Sequence, residues 1–156
     1  MATEAPATSP VLDNEKLFRA VRDEPIHFSC DAAGALKRLS HSVFNDPDMQ
    51  PSVDRATLRL GVAAESRKSP GDGVVELVAV EVRSIKALVS RDPKGKPTLA
   101  HDIDVIHAPE AENYSHALVR TAPQVASGGT FKRLKEALCL IAETNGWAFP
   151  PQSVRR

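Results

Sequence analysis

The stretch Val74-Val75-Glu76-Leu77-Val78-Ala79-Val80-Glu81-Val82 constrains the fold more than any other. Five of its nine residues are valine, whose branched Cβ is stiff at χ1 and suits a pleated surface. Val78, Val80 and Val82 alternate with Ala79, Glu81 and Arg83, a period of two that sends one set to a buried face. A rival helical reading rests on the three-and-four spacing of Val75, Val78, Val82, Ile85 and Val89. The Pro70-Gly71-Asp72-Gly73 corner favours the strand, because it starts an extended segment sharply. The expectation is a strand through Val82, with Arg83 to Leu88 as a single helical turn.

Other segments follow the same logic. Glu15 to Arg22 contains Leu17-Phe18-Arg19-Ala20-Val21, a short candidate strand with Leu17, Arg19 and Val21 on one side and Phe18 and Ala20 on the other. Ile26 to Cys30 reads as a second extended piece, and Ala32 to Leu39 as a short helix interrupted at Gly34. Ser52 is placed to cap a helix over Val53 to Leu60, with Asp54 at the positive end of its dipole. Ser66 to Gly73 reads as a loop, and Arg91 to Pro97 as a hairpin end. His101 to His107 and Tyr114 to Arg120 both alternate as strands. Phe131, Leu134, Leu138 and Ile141 form the stripe of a long helix with Thr130 as N-cap and Asn145-Gly146 as its stop. Trp147 and Phe149 are expected to fold back on the core. Residues 1–14 read as a disordered tail and 153–156 as a free tail. Between them, 15–152 is a single α+β domain: a small, mainly antiparallel sheet with a short helix and a long C-terminal helix packed on it.

Charge and cysteine content narrow the function. Lys plus Arg and Asp plus Glu are 20 each in 156 residues, a balance with no general pull towards nucleic acid or an anionic membrane. Aromatic residues are 4%, too few for a platform that stacks single-stranded bases. No apolar run reaches the roughly 18 residues needed to span a bilayer, and no signal-peptide pattern opens the chain. Cys30 and Cys139 make no disulfide framework and read as reduced thiols in a cytoplasmic protein.

The densest polar stretch runs from Ser40 through His41 and Ser42 to Ser52 and Asp54. Hydroxyls, an imidazole and carboxylates collect there in a loop between apolar elements, where functional residues tend to sit. Ser127-Gly128-Gly129-Thr130 at a helix start offers free backbone N–H groups to an anion. Lys132 and Arg133 in the first turn oppose the dipole, which makes sense beside a phosphate or an acidic partner. It is not a P-loop, since Gly-x-x-x-x-Gly-Lys-Ser/Thr is absent. His101, Asp102, Asp104 and His107 have metal-ligating chemistry, but a strand would hold the two histidines about 20 Å apart. No metal or cofactor is therefore assigned. Cys30 with His27 three residues away reads as a buried thiol rather than a nucleophile.

The blocks Leu17-Phe18-Arg19, Arg38 to Phe44, Pro51 to Asp54 and Asn113 to Val119 resemble those of a loose family of small uncharacterised bacterial proteins. That family carries Leu-Tyr-Arg, Ser-Ser-x-Ala-Phe, Ser-Val-Asp and Asn-x-x-His-Ala-x-Val in this order. His41 stands where its second serine usually is. The resemblance implies that Arg19, Ser40, Asp54 and His116 cluster, and that the source is bacterial. By analogy with ADP-ribosyltransferase-like folds, Arg19 would grip a dinucleotide phosphate and Ser40 would shape a pocket. Two expectations follow. One is an accessory module, in a defence or toxin-related system, that binds a protein partner through the Ser40–Asp54 loop or the basic helix start. The other is an enzyme acting on a nucleotide or phosphorylated ligand with Arg19, Ser40, Asp54 and His116 as its catalytic set. Such a ligand would also meet His41, Ser42, Ser52 and the Gly128, Gly129, Thr130, Lys132, Arg133 cradle.

Overall fold

A computed structural model of the chain describes residues 10–86 and 88–155. Its organising layer is a six-stranded antiparallel sheet whose strands, in spatial order, are β10 (Trp147–Phe149), β5 (Gly73–Val78), β1 (Lys16–Val21), β4 (Ser52–Arg55), β9 (His116–Ala122) and β8 (Asp102–His107). Two hairpins stand outside this layer, β2 (Phe28–Cys30) with β3 (Leu36–Leu39) and β6 (Val89–Arg91) with β7 (Pro97–Ala100). Helix α1 (Ala79–Arg83) is one turn, and α2 (Gly128–Asn145) is the long one. This is the expected α+β architecture.

Alternation decides which face is dry. Leu17 and Val21 of β1, Val53 of β4, Val75 and Leu77 of β5 and Val119 of β9 join one core with Phe131, Leu134, Leu138 and Ala142 of α2. Each fully buried aliphatic side chain contributes roughly 1.5–3 kcal/mol relative to exposure, so this interface carries most of the stability. On the opposite face Phe18, Val74 and Ala56 form a smaller cluster.

Several expectations are corrected. The valine-rich strand ends at Val78 rather than Val82, because its partner β1 begins at Lys16, which pairs with Val78. Beyond that point Ala79 N–H donates to the Glu15 carbonyl and Val80 N–H to Asp13, and the chain coils into α1 with Ala79 and Val82 buried. Ala32 to Leu39 is not a helix. Asp31 Oδ1 accepts from Ala33 and Ala35 N–H, Gly34 adopts φ +88, and the chain returns as β3. A short polar side chain has here diverted the backbone from helical bonding. The helix expected after Ser52 is strand β4, paired with β9, followed by a 3₁₀ turn over Ala56–Arg59. Ser127, not Thr130, caps α2. The expected N-terminal tail covers 1–9, outside the described residues, and 10–14, where Val11 is 4% exposed and packed in the core. At the other end Ser153 N–H donates to Asp23, and the Arg155 guanidinium lies over the Phe149 ring, so 153–155 are fastened down; Arg156 lies outside the described residues.

Candidate functional site

The sheet is split at its centre. β1 pairs with β5 along its whole length, but with β4 only at Leu17↔Arg55 and Phe18↔Asp54. Past that point the two strands part, and a cavity of about 530 Å³ opens between them. Its wall includes Arg19, Ser52, Asp54, His116, Ser42 and His27.

Arg19 makes the split tolerable. Its Nη1 donates to the Ser52 carbonyl (2.7 Å) and its Nε and Nη2 to the Val43 carbonyl (3.0 and 2.6 Å). The fork also grips Asp46, at 3.2 Å from Nη1 and 2.7 Å from Nη2. The Ser52 carbonyl, left without a β1 partner where the strands part, and the Val43 carbonyl of the 3₁₀ turn are thereby satisfied. Burial would raise the Asp46 carboxyl, but bonds and charge from Arg19 and the Ser52 N–H hold it below the usual carboxylate value. With every N–H edge of the guanidinium engaged in the protein, Arg19 is a wall-building residue and has no donor left for a phosphate.

Asp54 and His116 lie in one row across the sheet, through the Cα pairs Glu76↔Phe18, Phe18↔Asp54 and Asp54↔His116. Asp54 is 5% exposed. It accepts from Asn113 Nδ2 (2.8 Å) and from Arg59 (3.2 Å). Burial pushes its pKa up, yet the bond from Asn113, the nearby Ser66 hydroxyl and the charges of Arg59 and Lys68 outweigh it and hold the carboxyl below its usual value. His116 Nδ1 lies 2.7 Å from the Ala108 carbonyl. A carbonyl only accepts, so Nδ1 carries the proton and Nε2, 3.6 Å from Glu110, is the other functional edge.

Ser40 does not line this cavity. It caps the 3₁₀ turn His41–Phe44 and bonds to Ser42 Oγ at 2.8 Å. Ser42 is exposed and faces the cavity, and its Oγ is 3.1 Å from His27 Nδ1. Arg22, Lys68 and His27 also line the cavity, as do the carboxylates Asp46 and Asp72; sequence reading did not place Arg22, Lys68 or His27 there. Neither the Arg22 guanidinium nor the Lys68 ammonium has a hydrogen-bond or ion-pair partner among the described residues, though the Lys68 charge reaches Asp54.

The glycine-rich helix start is elsewhere. Gly128 and Gly129 are exposed. Thr130 is buried, with Oγ1 bonded to Ser127 and Ser90. Arg133 donates to the Val89 carbonyl (2.6 Å), and Lys132 lies 3.9 Å from Glu136. These residues join α2 to the β6–β7 hairpin and form no common site with Asp54. His41 and Lys132, with Ser40, instead line a second groove between β2–β3 and α2. His101 bonds Ser90 and the Pro123 carbonyl, whereas His107 packs edge-on to Tyr114. Among the described residues no group of three or more His, Cys, Asp or Glu side chains is placed to hold a metal ion.

No protein-family model matches this chain, and no curated protein or solved structure matches it either.

Proposed function

We propose that the cavity at the split between β1 and β4 binds a small phosphorylated molecule of about nucleotide size, and that the protein acts on it. The observation that carries this reading is the pair of cations on the wall of a concave site, Arg22 and Lys68, whose side chains make no hydrogen bond or ion pair among the described residues. The volume of about 530 Å³ falls within the range usual for small-ligand pockets. Arg22 and Lys68, rather than Arg19, take the anionic group. Asp54, His116, His27 and Ser42 supply polar contacts beside it.

The test is thermal melting with nucleotides, NAD, sugar phosphates and inorganic phosphate. A ligand that binds only the folded state at a hundredfold its Kd adds about 2.7 kcal/mol, which for a chain of this length raises the midpoint by roughly 5–10 °C. The shift should vanish in Arg22→Ala/Lys68→Ala. No shift with any of these ligands would overturn the reading.

A protein-binding role keeps one observation of its own. The second groove joins Ser40, His41 and Lys132 to Ile26 (74% exposed) and Leu140 (65% exposed). Exposed apolar side chains beside charged ones suit a partner's segment. Loss of co-purification with such a partner in Ile26→Asp or Leu140→Asp would favour it.

A further inference from the structure

We infer that Ser42 is a nucleophile with His27 as its base, and that the cavity hydrolyses a carboxylic ester bearing an anionic group. This rests on the reading of the cavity as a site for a negatively charged small molecule. Serine attacks only when an adjacent base takes its proton, so the diagnostic is a hydroxyl within hydrogen-bond reach of an oriented imidazole. Ser42 Oγ to His27 Nδ1 is 3.1 Å, and both residues line the cavity. His27 Nε2 lies 3.6 Å from Glu24 Oε2. A carboxylate on that side favours the tautomer with the proton on Nε2, which leaves the Nδ1 lone pair facing Ser42. Ser40 Oγ lies 2.8 Å from Ser42 Oγ, a pair in which either hydroxyl can donate; with the Ser42 proton directed at His27, Ser40 is the donor. The hydroxyl is reachable, since Ser42 is exposed on a short 3₁₀ turn whose neighbours Val43 and Phe44 anchor it in the core.

The chemistry balances without any further reactant than water. As Ser42 Oγ bonds to the ester carbonyl carbon, its proton passes to His27 Nδ1. The tetrahedral adduct collapses with cleavage of the carbon–oxygen bond, and the leaving alkoxide takes that proton. Water then attacks the acyl-serine, again giving a proton to His27 Nδ1, and release of the acid returns that proton to Ser42. Glu24 is half exposed (50% for its side chain) and acts as a positioning residue. The negative charge of each adduct develops in a cavity whose wall carries Arg22 and Lys68.

The experiment is labelling of the full chain with a fluorophosphonate, which forms an Oγ–P bond and expels fluoride, read by peptide mass spectrometry with fragment ions that separate Ser40 from Ser42. Label on Ser42 is expected. Ser42→Ala should abolish it, and His27→Gln, which can keep the hydrogen bond but not the basicity, should slow it by about a hundredfold or more. Both variants should melt with the wild type, because Ser42 is exposed and glutamine can keep the hydrogen bond that His27, 16% exposed, makes to Ser42. Label on Ser40, no label, or equal labelling of His27→Gln would overturn the inference. A protein stabilised by phosphorylated ligands whose Ser42 stays unlabelled would keep the cavity reading and lose this one.

Discussion

At the scale of single residues, Arg19 is the test of how the site is held open. Its guanidinium is paired with Asp46 while both side chains are mostly buried (17% and 16% exposed), and breaking such a pair leaves an uncompensated charge. Arg19→Met should cost about 3 kcal/mol in urea unfolding. Arg19→Lys should lose much of the same stability, because an ammonium cannot reproduce the planar fork. Wild-type stability in the lysine variant would refute the wall-building role. The two cysteines make a second case. Cys139 is 4% exposed, and burial with the charges of Glu143 and Glu136 pushes its thiol up to about 12. Cys30 is partly exposed. An alkylating reagent at pH 8 should therefore modify Cys30 in the folded protein and Cys139 only in denaturant. Arg19, Asp54 and His116 were named beforehand by the resemblance; strand alternation placed Arg19 and His116, whereas Asp54 was expected in a helix and lies on β4. Arg22, Lys68 and the use of His27 were not. They come from separate loop ends that only the folded sheet brings to one wall, and no local spacing marks them.

Among the elements, the sequence signal failed wherever tertiary pairing outweighed local preference. Ser52 has the chemistry of a cap, but its N–H donates to Asp46 and its strand has β9 as a neighbour. The valine-rich run fitted two periods, with the strand preferred through Val82, and it used both, strand to Val78 and then helix, because the ladder partner ended. The alternating β1, β8 and β9 and the striped α2 were plain, having clear periods. The sheet order, with β10 beside β5 and β4 between β1 and β9, follows from long-range register that periodicity does not encode. The return of β10 also rests on Gly73. A Cβ there would lie 2.8 Å from Trp147 Cζ3 and from Pro151 Cδ, and 2.9 Å from Pro151 N. A ring and a proline backbone cannot yield cheaply, so Gly73→Ala should cost about 1–3 kcal/mol and change Trp147 fluorescence. An unchanged midpoint would show that β10 is held elsewhere.

For the whole molecule, formal charge is balanced at neutrality, so near pH 7 the pH dependence comes from individual shifted groups rather than net repulsion, which adds to it only once the carboxylates protonate. Two kinds act in the same direction. Burial, reinforced by the charge of Arg55, lowers the pKa of His107 from 6.5. The fold therefore favours its neutral form. The unfolded chain takes up a proton near pH 6.5 before the folded one does, so stability is complete above 6.5 and falls as pH drops through that value towards the folded pKa. Glu15, Asp46 and Asp54 are carboxylates whose folded pKa lies below the ordinary 4.5 or 3.8, burial being outweighed by their arginine and amide donors. Their contribution is present above those ordinary values and is lost as pH falls below them. The urea midpoint should thus decline in two stages on acidification, the first below about pH 6.5 and the second below about 4.5. His107→Phe should flatten the first stage alone. Asp46→Asn should shrink the second, at the cost of lower stability at pH 7, because Arg19 loses its charged partner. A midpoint that rises between pH 7 and 5.5, or a first stage that survives in His107→Phe, would contradict this assignment and would shift attention to the other four histidines, two of which, His27 and His116, line the proposed site.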